Sequence, residues 1–281
     1  MIYTADLHTH SSASDGQYTP SELVNLAKKA GLELLAVTDH DTLDGLEEAV
    51  EAGKSAGVRV VPGIELSAKE YDTFHILGYG FSPSAPELKE LCRRMKARRE
   101  ERTDRLILFL KEKGLDISRA EVEEIAGGGV LGRPHFAQAM VKRGYVGTNR
   151  EAFDRYLDTD EFHRRVDQGK PPVRECIETI RASGGMASLA HPYQIGLDDG
   201  ALAELVGRLA GFGLEAIECY YPRHTQAQTA FYLELARRYG LHATGGSDFH
   251  GERVKPDVRL AAIRLELDWL LEDRKTPAEN G

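Results

Sequence analysis

Histidine and acidic residues recur in this chain directly after segments that are typical of β-strands. His8 and His10 follow the first such segment, His40 follows the second, and His191 and His250 follow two later ones. Imidazole nitrogens and carboxylate oxygens are ligands that suit zinc, manganese and iron. The pattern therefore predicts a cluster that binds divalent cations, and its candidate ligands are His8, His10, Asp15, His40, Glu65, His75, His191, Asp248 and His250.

The first two histidines form an H-x-H pair. In an extended chain, residues two apart point to the same side, so His8 and His10 could reach one ion together. Such a pair alone is weak evidence, because it also occurs by chance on solvated loops. The joint occurrence of D-L-H-x-H, T-D-H-D, P-G-I-E, A-H-P and G-S-D-x-H, each at a strand end, is much stronger evidence for a metal site.

The segments that must position these side chains alternate between strand and helix patterns. Alternating β and α units favour a parallel sheet or a barrel, in which the carboxyl ends of the strands meet at one rim. Ligands far apart in the chain would then lie close together. The predicted strands cover residues 2–7, 34–38, 59–66, 74–80, 186–190, 214–219 and 241–244, and helices between them cover 20–30, 43–56, 201–210 and 225–239.

The alternation stops between about Ser82 and Pro171. That stretch carries almost no strand signal and shows helical patterns at 85–113, 119–125, 134–143 and 150–157. A further helix is expected at 173–182, after Pro171 and Pro172. We therefore expect a metal-binding α/β barrel made of residues 1–82 and 171–281, with a helical insert at 83–170 that covers the active site.

Composition narrows the function classes. The chain has 281 residues and a net charge of −9, which disfavours broad, charge-driven binding of nucleic acids. No apolar run approaches the about 20 residues that span a bilayer. The first residues do not form a signal peptide. We therefore expect a cytoplasmic protein with no membrane contact and no obligate protein partner.

Six segments of the chain resemble the PHP family, named for polymerase and histidinol phosphatase domains. They read DLHTHSSASDG, AVTDHDTLDG, VVPGIELSA, FHILGYG, LAHP and GGSDFHG, in the family's order. The resemblance implies a distorted seven-stranded, TIM-like β/α barrel with a site for three metals. It assigns His8, His10, Glu65 and Asp248 to one cation, Glu65, His75 and His191 to a second, and Asp15, His40 and His250 to a third.

The insert resembles one branch of that family, through its segments RRMKARREER and GRPHFA. That branch contains 3′,5′-nucleoside bisphosphate phosphatases and related 5′–3′ exoribonucleases. The resemblance implies a metal-dependent phosphatase that removes the 3′-phosphate of nucleoside 3′,5′-bisphosphates and trims short RNA that carries a 5′-phosphate. The implied partners are small phosphorylated nucleotides and short single-stranded RNA.

Arginines of the insert are candidates for binding a second phosphate. On a helical wheel, Arg99 and Arg102 fall on the apolar stripe of the first insert helix, where a buried charge needs a partner. An insert carboxylate or a ligand phosphate could be that partner. Arg133 and His135 flank a predicted helix start, where free N–H groups favour an anion. Arginines off the stripe, including Arg93, Arg94 and Arg105, are typical of a solvated helix face.

The chemistry expected at the site is attack of activated water on phosphorus. Divalent cations lower the pKa of water toward neutrality and neutralise developing charge. Manganese is the first expectation, and iron or zinc would suit the same ligands. Asp248 and His191 are expected to be essential for catalysis, and His224 to contact the substrate or protonate the leaving group.

Other functions remain open on the sequence alone. The same scaffold could serve a histidinol-phosphate or general sugar phosphatase, or a single-strand exonuclease. A metal-dependent amidohydrolase would use similar ligands. A non-catalytic, metal-stabilised binding module belongs to a different class, and the complete ligand set argues against it.

Overall fold

The computed structural model of the chain describes residues 1–71, 73–126 and 131–271. They form two compact units. The first unit contains residues 1–92 and those from 171 onward, and the second contains residues 93–170. Within the described residues, no helix is both long and apolar enough to cross a membrane.

The strands of the first unit build one sheet. Along the sheet the strands from β1 to β7 follow chain order, and β8 pairs with the other side of β1. Phe249, just after β7, forms a parallel bridge with Thr9, so the sheet is nearly closed into a barrel. The strands are β1 (Ile2–Thr9), β2 (Leu34–Val37), β3 (Arg59–Ser67), β4 (His75–Tyr79), β5 (Met186–Leu189), β6 (Ala216–Tyr220), β7 (His242–Gly245) and β8 (Ile263–Glu266).

The α/β barrel expected from the sequence is therefore confirmed, but the prediction of seven strands is wrong by one. The missed strand is β8, which runs antiparallel to β1. It is a short edge strand in which Leu265 alone is buried, and charged residues flank that leucine. Its apolar signal is accordingly too weak to identify it from the sequence.

Strand direction places one ligand in an unexpected way. Neighbouring strands from β1 to β3 and from β5 to β7 are parallel, but β4 runs antiparallel to both β3 and β5. In this register His75 pairs with Ser67. The first residue of β4 therefore lies at the edge where the parallel strands end.

Most helices agree with the sequence patterns to within a few residues. Thr19 caps α1 in a capping box with Glu22, and Gly240 ends α10 in the left-handed conformation. The described helices are α1 (Pro20–Lys29), α2 (Leu46–Ala56), α3 (Pro86–Glu112), α4 (Arg119–Ala126), α5 (Arg133–Lys142), α6 (Asn149–Ala152), α7 (Asp160–Arg165), α8 (Val173–Ala182), α9 (Asp199–Gly211), α10 (Gln226–Tyr239) and α11 (Asp268–Leu271).

The second unit is helical throughout the residues that the structure describes. Its core contains Phe109, Phe136, Met140 and Phe162, all buried. The helix expected at 150–157 is divided into α6 and a π-helical turn at Phe153–Leu157. Helix α7 follows directly and was not predicted, because a run of charged residues hides its one buried aromatic side chain.

Candidate metal centre

Glu65 lies at the centre of the histidine cluster. It is fully buried near the end of β3. Its Oε1 atom lies 2.9 Å from Nδ1 of His75 and 3.0 Å from Nε2 of His191. Its Oε2 atom lies 3.0 Å from Nδ1 of His40 and 3.2 Å from Nε2 of His10. One carboxylate thus joins imidazoles that come from four separate segments of the chain.

Asp248 is the second buried carboxylate of the cluster. Its Oδ1 atom lies 3.3 Å from Nδ1 of His250, 3.4 Å from Nε2 of His10 and 3.7 Å from Nε2 of His8. Asp15 lies at the edge of the cluster, 3.3 Å from Nε2 of His250. Acids from the first loop and from the segment after β7 therefore meet the same histidines.

The structure brings all nine predicted ligands together. They form four overlapping groups in which the ligand atoms lie within 4.8 Å of one another. This grouping differs in detail from the three sets that the family resemblance implies. The assignment of residues to individual cations therefore stays a prediction, and the groups are His10, Asp15, His40 and His250; His8, Glu65 and His191; His8, His10 and Asp248; and His40, Glu65 and His75.

The backbone around these ligands is strained. Among the described non-glycine residues, a positive φ angle occurs at Asp41, His191 and Asp248, with values of 56°, 24° and 57°. Left-handed backbone is unfavourable for residues with a Cβ atom, and it persists where the surrounding structure enforces it. All three positions lie in or beside the cluster, so the strain coincides with ligand placement.

The cluster buries the carboxylates of Glu65, Glu218 and Asp248, and buried charge is costly unless an opposite charge lies beside it. Burial raises the pKa of Glu65, but the surrounding imidazoles outweigh burial and hold that pKa well below its usual range. Burial lowers the pKa of His8, whereas Glu65, Glu218 and Asp248 outweigh that effect and raise it well above its usual value. The site thus attracts positive charge strongly.

Unsatisfied atoms support the same conclusion. Within the described part of the chain, His8 Nε2, His10 Nε2 and Glu65 Oε2 are buried and form no hydrogen bond of acceptable geometry. Buried polar atoms normally have partners, and a cation is a partner that these nitrogen and oxygen atoms suit. The residues present therefore fit divalent cations.

Glu218 is a member of the site that the sequence patterns missed. It is fully buried in β6, where its Oε1 atom lies 3.1 Å from Nδ1 of His8. Its Oε2 atom accepts a hydrogen bond from the backbone N–H of His191 at 2.7 Å. A carboxylate that fixes a metal-binding imidazole raises its basicity and sets its tautomer. The available signal was a charged residue inside an otherwise apolar strand.

Tyr221 and Lys255 are two further residues that the sequence patterns did not identify. The Tyr221 hydroxyl donates a hydrogen bond of 2.9 Å to Asp248 Oδ2, and Lys255 Nζ donates to the same oxygen at 2.7 Å. These contacts orient one oxygen of Asp248 while its other oxygen faces the histidines. Neither residue belongs to one of the histidine motifs at the strand ends, so the sequence alone did not identify them.

Other buried acids hold the loops that carry the ligands. Asp39 accepts hydrogen bonds from the N–H and hydroxyl of Ser11 and from the hydroxyl of Ser14. Asp6 accepts from the N–H and hydroxyl of Ser247. Burial raises the pKa of Asp6 to about 6 although these hydrogen bonds oppose it. The loops after β1 and β7 are therefore fixed by side chains from neighbouring segments.

His224 lies in an aromatic cluster beside Tyr221. Their ring centroids are 5.1 Å apart, and Nδ1 of His224 lies 3.1 Å from the carbonyl oxygen of Cys219. Burial lowers the pKa of His224, so the neutral ring donates from Nδ1 and leaves Nε2 as an acceptor. Among the described residues, this Nε2 atom is buried and has no hydrogen-bond partner. Protonation of a leaving group by His224 stays a prediction.

Three of the four insert residues predicted to bind substrate have partners within the second unit. Arg102 Nε donates to Asp167 at 2.8 Å, so an insert carboxylate is one partner of this guanidinium. Arg133 Nη1 donates to Asp158 at 2.8 Å. His135 accepts from the N–H of Gly132 at 3.0 Å and caps α5. Arg99 lies on α3, in the same unit as the other three residues. Phosphate binding by all four residues stays a prediction.

Comparison with known proteins identifies one matching family and three relatives. The PHP domain model matches residues 6–178. A 5′-3′ exoribonuclease of Haemophilus influenzae is 33% identical, over 89% of this chain and 91% of its own. A phosphoribosyl 1,2-cyclic phosphate 1,2-diphosphodiesterase of Eggerthella lenta is 36% identical, over 88% of this chain and 94% of its own. A 3′,5′-nucleoside bisphosphate phosphatase of Chromobacterium violaceum is 32% identical, with 87% and 86% covered.

A solved structure is similar over nearly the whole chain. A metal-dependent phosphoesterase of Bifidobacterium adolescentis superposes with a TM-score of 0.76 and is 30% identical. The match covers 95% of this chain and 93% of that protein. The similarity therefore extends beyond the histidine motifs to the complete fold.

Proposed function

This chain belongs to the PHP domain family and is a metal-dependent phosphoesterase, and from this premise we propose that it removes the 3′-phosphate of nucleoside 3′,5′-bisphosphates. The observation that carries the proposal is the gathering of nine competent ligands, Glu65 among them, in one cluster. An enzyme of this class is favoured over a non-catalytic binding module. The bisphosphate substrate is supported by the relative from Chromobacterium violaceum.

We also propose a 5′–3′ exoribonuclease activity on short RNA with a 5′-phosphate. A nucleotide at the end of such a strand carries a 5′-phosphate and a 3′-phosphodiester, which resembles the bisphosphate. The relative from Haemophilus influenzae supports this activity. The ester at the 3′ oxygen would be the bond broken in both reactions.

The proposed chemistry divides between cations and protein side chains. Two or three divalent cations, manganese in our proposal, would lower the pKa of water and neutralise charge on the phosphate. Glu65 and Asp248 bring the imidazoles to common positions. Glu218 orients His8, and Tyr221 and Lys255 orient Asp248. The protein side chains thus fix the ligand atoms before the substrate arrives, which lowers the reorganisation that the reaction requires.

Cysteine chemistry is disfavoured at neutral pH. Burial raises the pKa of Cys92 and of Cys219 to about 12. Burial also raises the pKa of Cys176 well above its usual value. The thiolate is the nucleophilic form of cysteine, and at these pKa values it is scarce. This supports attack by water rather than by a thiolate.

A second candidate substrate is phosphoribosyl 1,2-cyclic phosphate. The specific observation in its favour is the relative from Eggerthella lenta, which is named for that activity. A cyclic phosphodiester and a 3′-phosphate ester need the same activated water, so the histidine cluster does not separate them. The site's preference must be decided by groups that bind the remainder of the substrate.

A substrate panel with added manganese tests the proposal. We expect kcat/KM for adenosine 3′,5′-bisphosphate to exceed that for the cyclic phosphate, histidinol phosphate and adenosine 5′-monophosphate by about 10-fold or more, the effect of about 1.4 kcal/mol. A higher value for the cyclic phosphate would favour the second candidate. Equal values for all four would contradict substrate selection for two phosphates.

The cytoplasmic location also stays a prediction, which localisation of the tagged protein would test.

A further inference from the structure

Charge is divided unevenly between the two units. Residues 93–170 contain 18 lysines and arginines against 14 aspartates and glutamates. The remaining residues contain 18 basic against 31 acidic side chains. The net charge of −9 is therefore the sum of an acidic first unit and a basic second unit. The second unit can attract anions although the whole chain is acidic.

One groove concentrates this basic character within the second unit. It has a volume of about 500 Å³ and is lined by one face of α3 and by the segment that contains Gln168. Its described lining contains four arginines and one carboxylate. That carboxylate, of Glu101, accepts from Arg105 Nη1 at 3.3 Å, and Arg98 Nη2 donates to Asp167 at 3.1 Å. The lining residues are Arg93, Arg94, Ala97, Arg98, Glu101, Arg105, Gln168 and Gly169.

Hydrogen bonds hold the side chains that form the wall of the groove. The carbonyl oxygen of Gln168 accepts hydrogen bonds from Arg98 Nε at 2.7 Å and from Arg105 Nη2 at 3.4 Å. Gly169 has a φ angle of +88°, and the side chain of Arg98 packs 3.4 Å from the position that a Cβ atom would take there. The Arg98 side chain therefore packs against the backbone of Gly169.

The dimensions of the groove suit a chain of phosphates. From Arg94 to Arg105 the helical rise is about 16 Å, which is longer than a single phosphate group. Guanidinium groups bind phosphate oxygens in two-point contacts. The described lining contains no aromatic side chain on which a base would stack. Such a lining would suit a sugar-phosphate backbone rather than the bases.

We propose that this groove binds the backbone of single-stranded RNA. The inference rests on the proposed function: the exoribonuclease activity is the reason for choosing RNA over another polyanion as the ligand. The groove belongs to the second unit and uses none of the predicted metal ligands. It would hold several linked phosphates of one strand, independently of hydrolysis.

Binding of RNA to the full-length protein tests the groove directly. The probe is a fluorescent, 5′-phosphorylated single-stranded RNA of ten nucleotides, with metal chelated so that no turnover occurs. We expect the double variant R93A/R94A to bind about 10-fold more weakly than wild type and to reduce the slope of log affinity against log salt by about 1.4, or about 0.7 for each lost phosphate contact. The matched control K142A/R150A removes two exposed charges of the same unit outside the groove and should bind like wild type.

Two controls make the result decisive. Thermal unfolding of each variant shows whether a loss of binding reflects loss of structure. In the wild-type protein, poly-glutamate should compete for the site much less effectively than unlabelled RNA. Equal weakening by both double variants, a wild-type salt slope near zero, or equal competition by poly-glutamate would each overturn the proposal. Because chelation removes turnover, failure of the phosphoesterase proposal would leave this binding result unaffected.

Discussion

The carboxylate of Glu218 lies 3.1 Å from Nδ1 of His8 in the interior of the barrel. Both side chains are fully buried, and the second oxygen of Glu218 accepts from the backbone of His191. One acid inside strand β6 therefore contacts two predicted ligands, His8 within β1 and His191 just after β5. Its position makes Glu218 a positioning residue for the cation site.

We predict that Glu218→Gln weakens manganese binding by about 10- to 100-fold. Without the Glu218 carboxylate, the imidazole of His8 is less basic and its orientation is less well fixed. Isothermal titration of the metal-free protein measures the affinity. Glu234→Gln, a change at an exposed position of α10, is the matched control and should leave the affinity unchanged. Wild-type affinity in Glu218→Gln would show that the contact has no role in metal binding.

Asp248→Asn should remove both bound metal and turnover. The change takes away an anionic ligand that faces three histidines, and it weakens the contact with Lys255. Metal content measured by elemental analysis and hydrolysis of the bisphosphate give two independent readouts. Asp257→Asn, at a nearby exposed position, should retain both. Full hydrolysis by chelator-treated wild-type protein would defeat the metal mechanism.

Alanine replacement of Arg99, Arg102 or Arg133 tests the second-phosphate site. If these residues bind that phosphate, each change should lower kcat/KM for adenosine 3′,5′-bisphosphate by about 10-fold or more and have a smaller effect on nucleoside monophosphates. Arg155→Ala removes an exposed arginine that bonds Glu151 and serves as the control. Equal losses on both substrate types would mean that the arginines act through structure alone.

Acid should destabilise the protein partly through Asp167. Burial raises the pKa of this carboxyl, but Arg102, Lys170 and Arg98 together lower it from 3.8 to about 2. Because the folded pKa is below the unfolded one, the stabilisation is present above about pH 4 and is lost as pH falls toward 2. We expect the stability difference between wild type and Asp167→Asn to shrink by about 1 kcal/mol between pH 6 and pH 3.

Urea unfolding at several pH values measures this difference. Asp154→Asn, which removes an exposed carboxylate of the same unit, should show no comparable pH dependence relative to wild type. A constant difference between wild type and Asp167→Asn across this range would contradict the assignment. The measurement needs no bound metal, so it is independent of the catalytic proposal.

The location of the ligands could be read from the sequence because strand ends are visible there. Runs such as Leu34–Val37 are apolar at every position, as expected for a strand covered on both faces, and His40 follows at once. The rule that parallel strands end at one rim then brings distant residues together. The antiparallel direction of β4 was not visible, yet His75 still reaches the rim because it begins that strand.

The supporting residues could not be read in the same way. Tyr221 and Lys255 reach Asp248 only through the folded path of the chain after β6 and β7. Likewise, the contact of Arg102 Nε with Asp167 at 2.8 Å joins residues 65 positions apart in the chain. Contacts between side chains distant in sequence depend on three-dimensional packing, which residue patterns do not encode.

The left-handed backbone at Asp41, His191 and Asp248 implies a trade-off between thermal resistance and activity. A glycine adopts these angles without steric cost, so the inactive variant His191→Gly should relieve local strain that the wild-type chain retains. A side chain at each of these positions therefore serves catalytic activity at the expense of folded-state stability. We therefore expect the strained backbone to cost the polypeptide some heat resistance, and cations that bind the folded state to offset part of that cost by mass action.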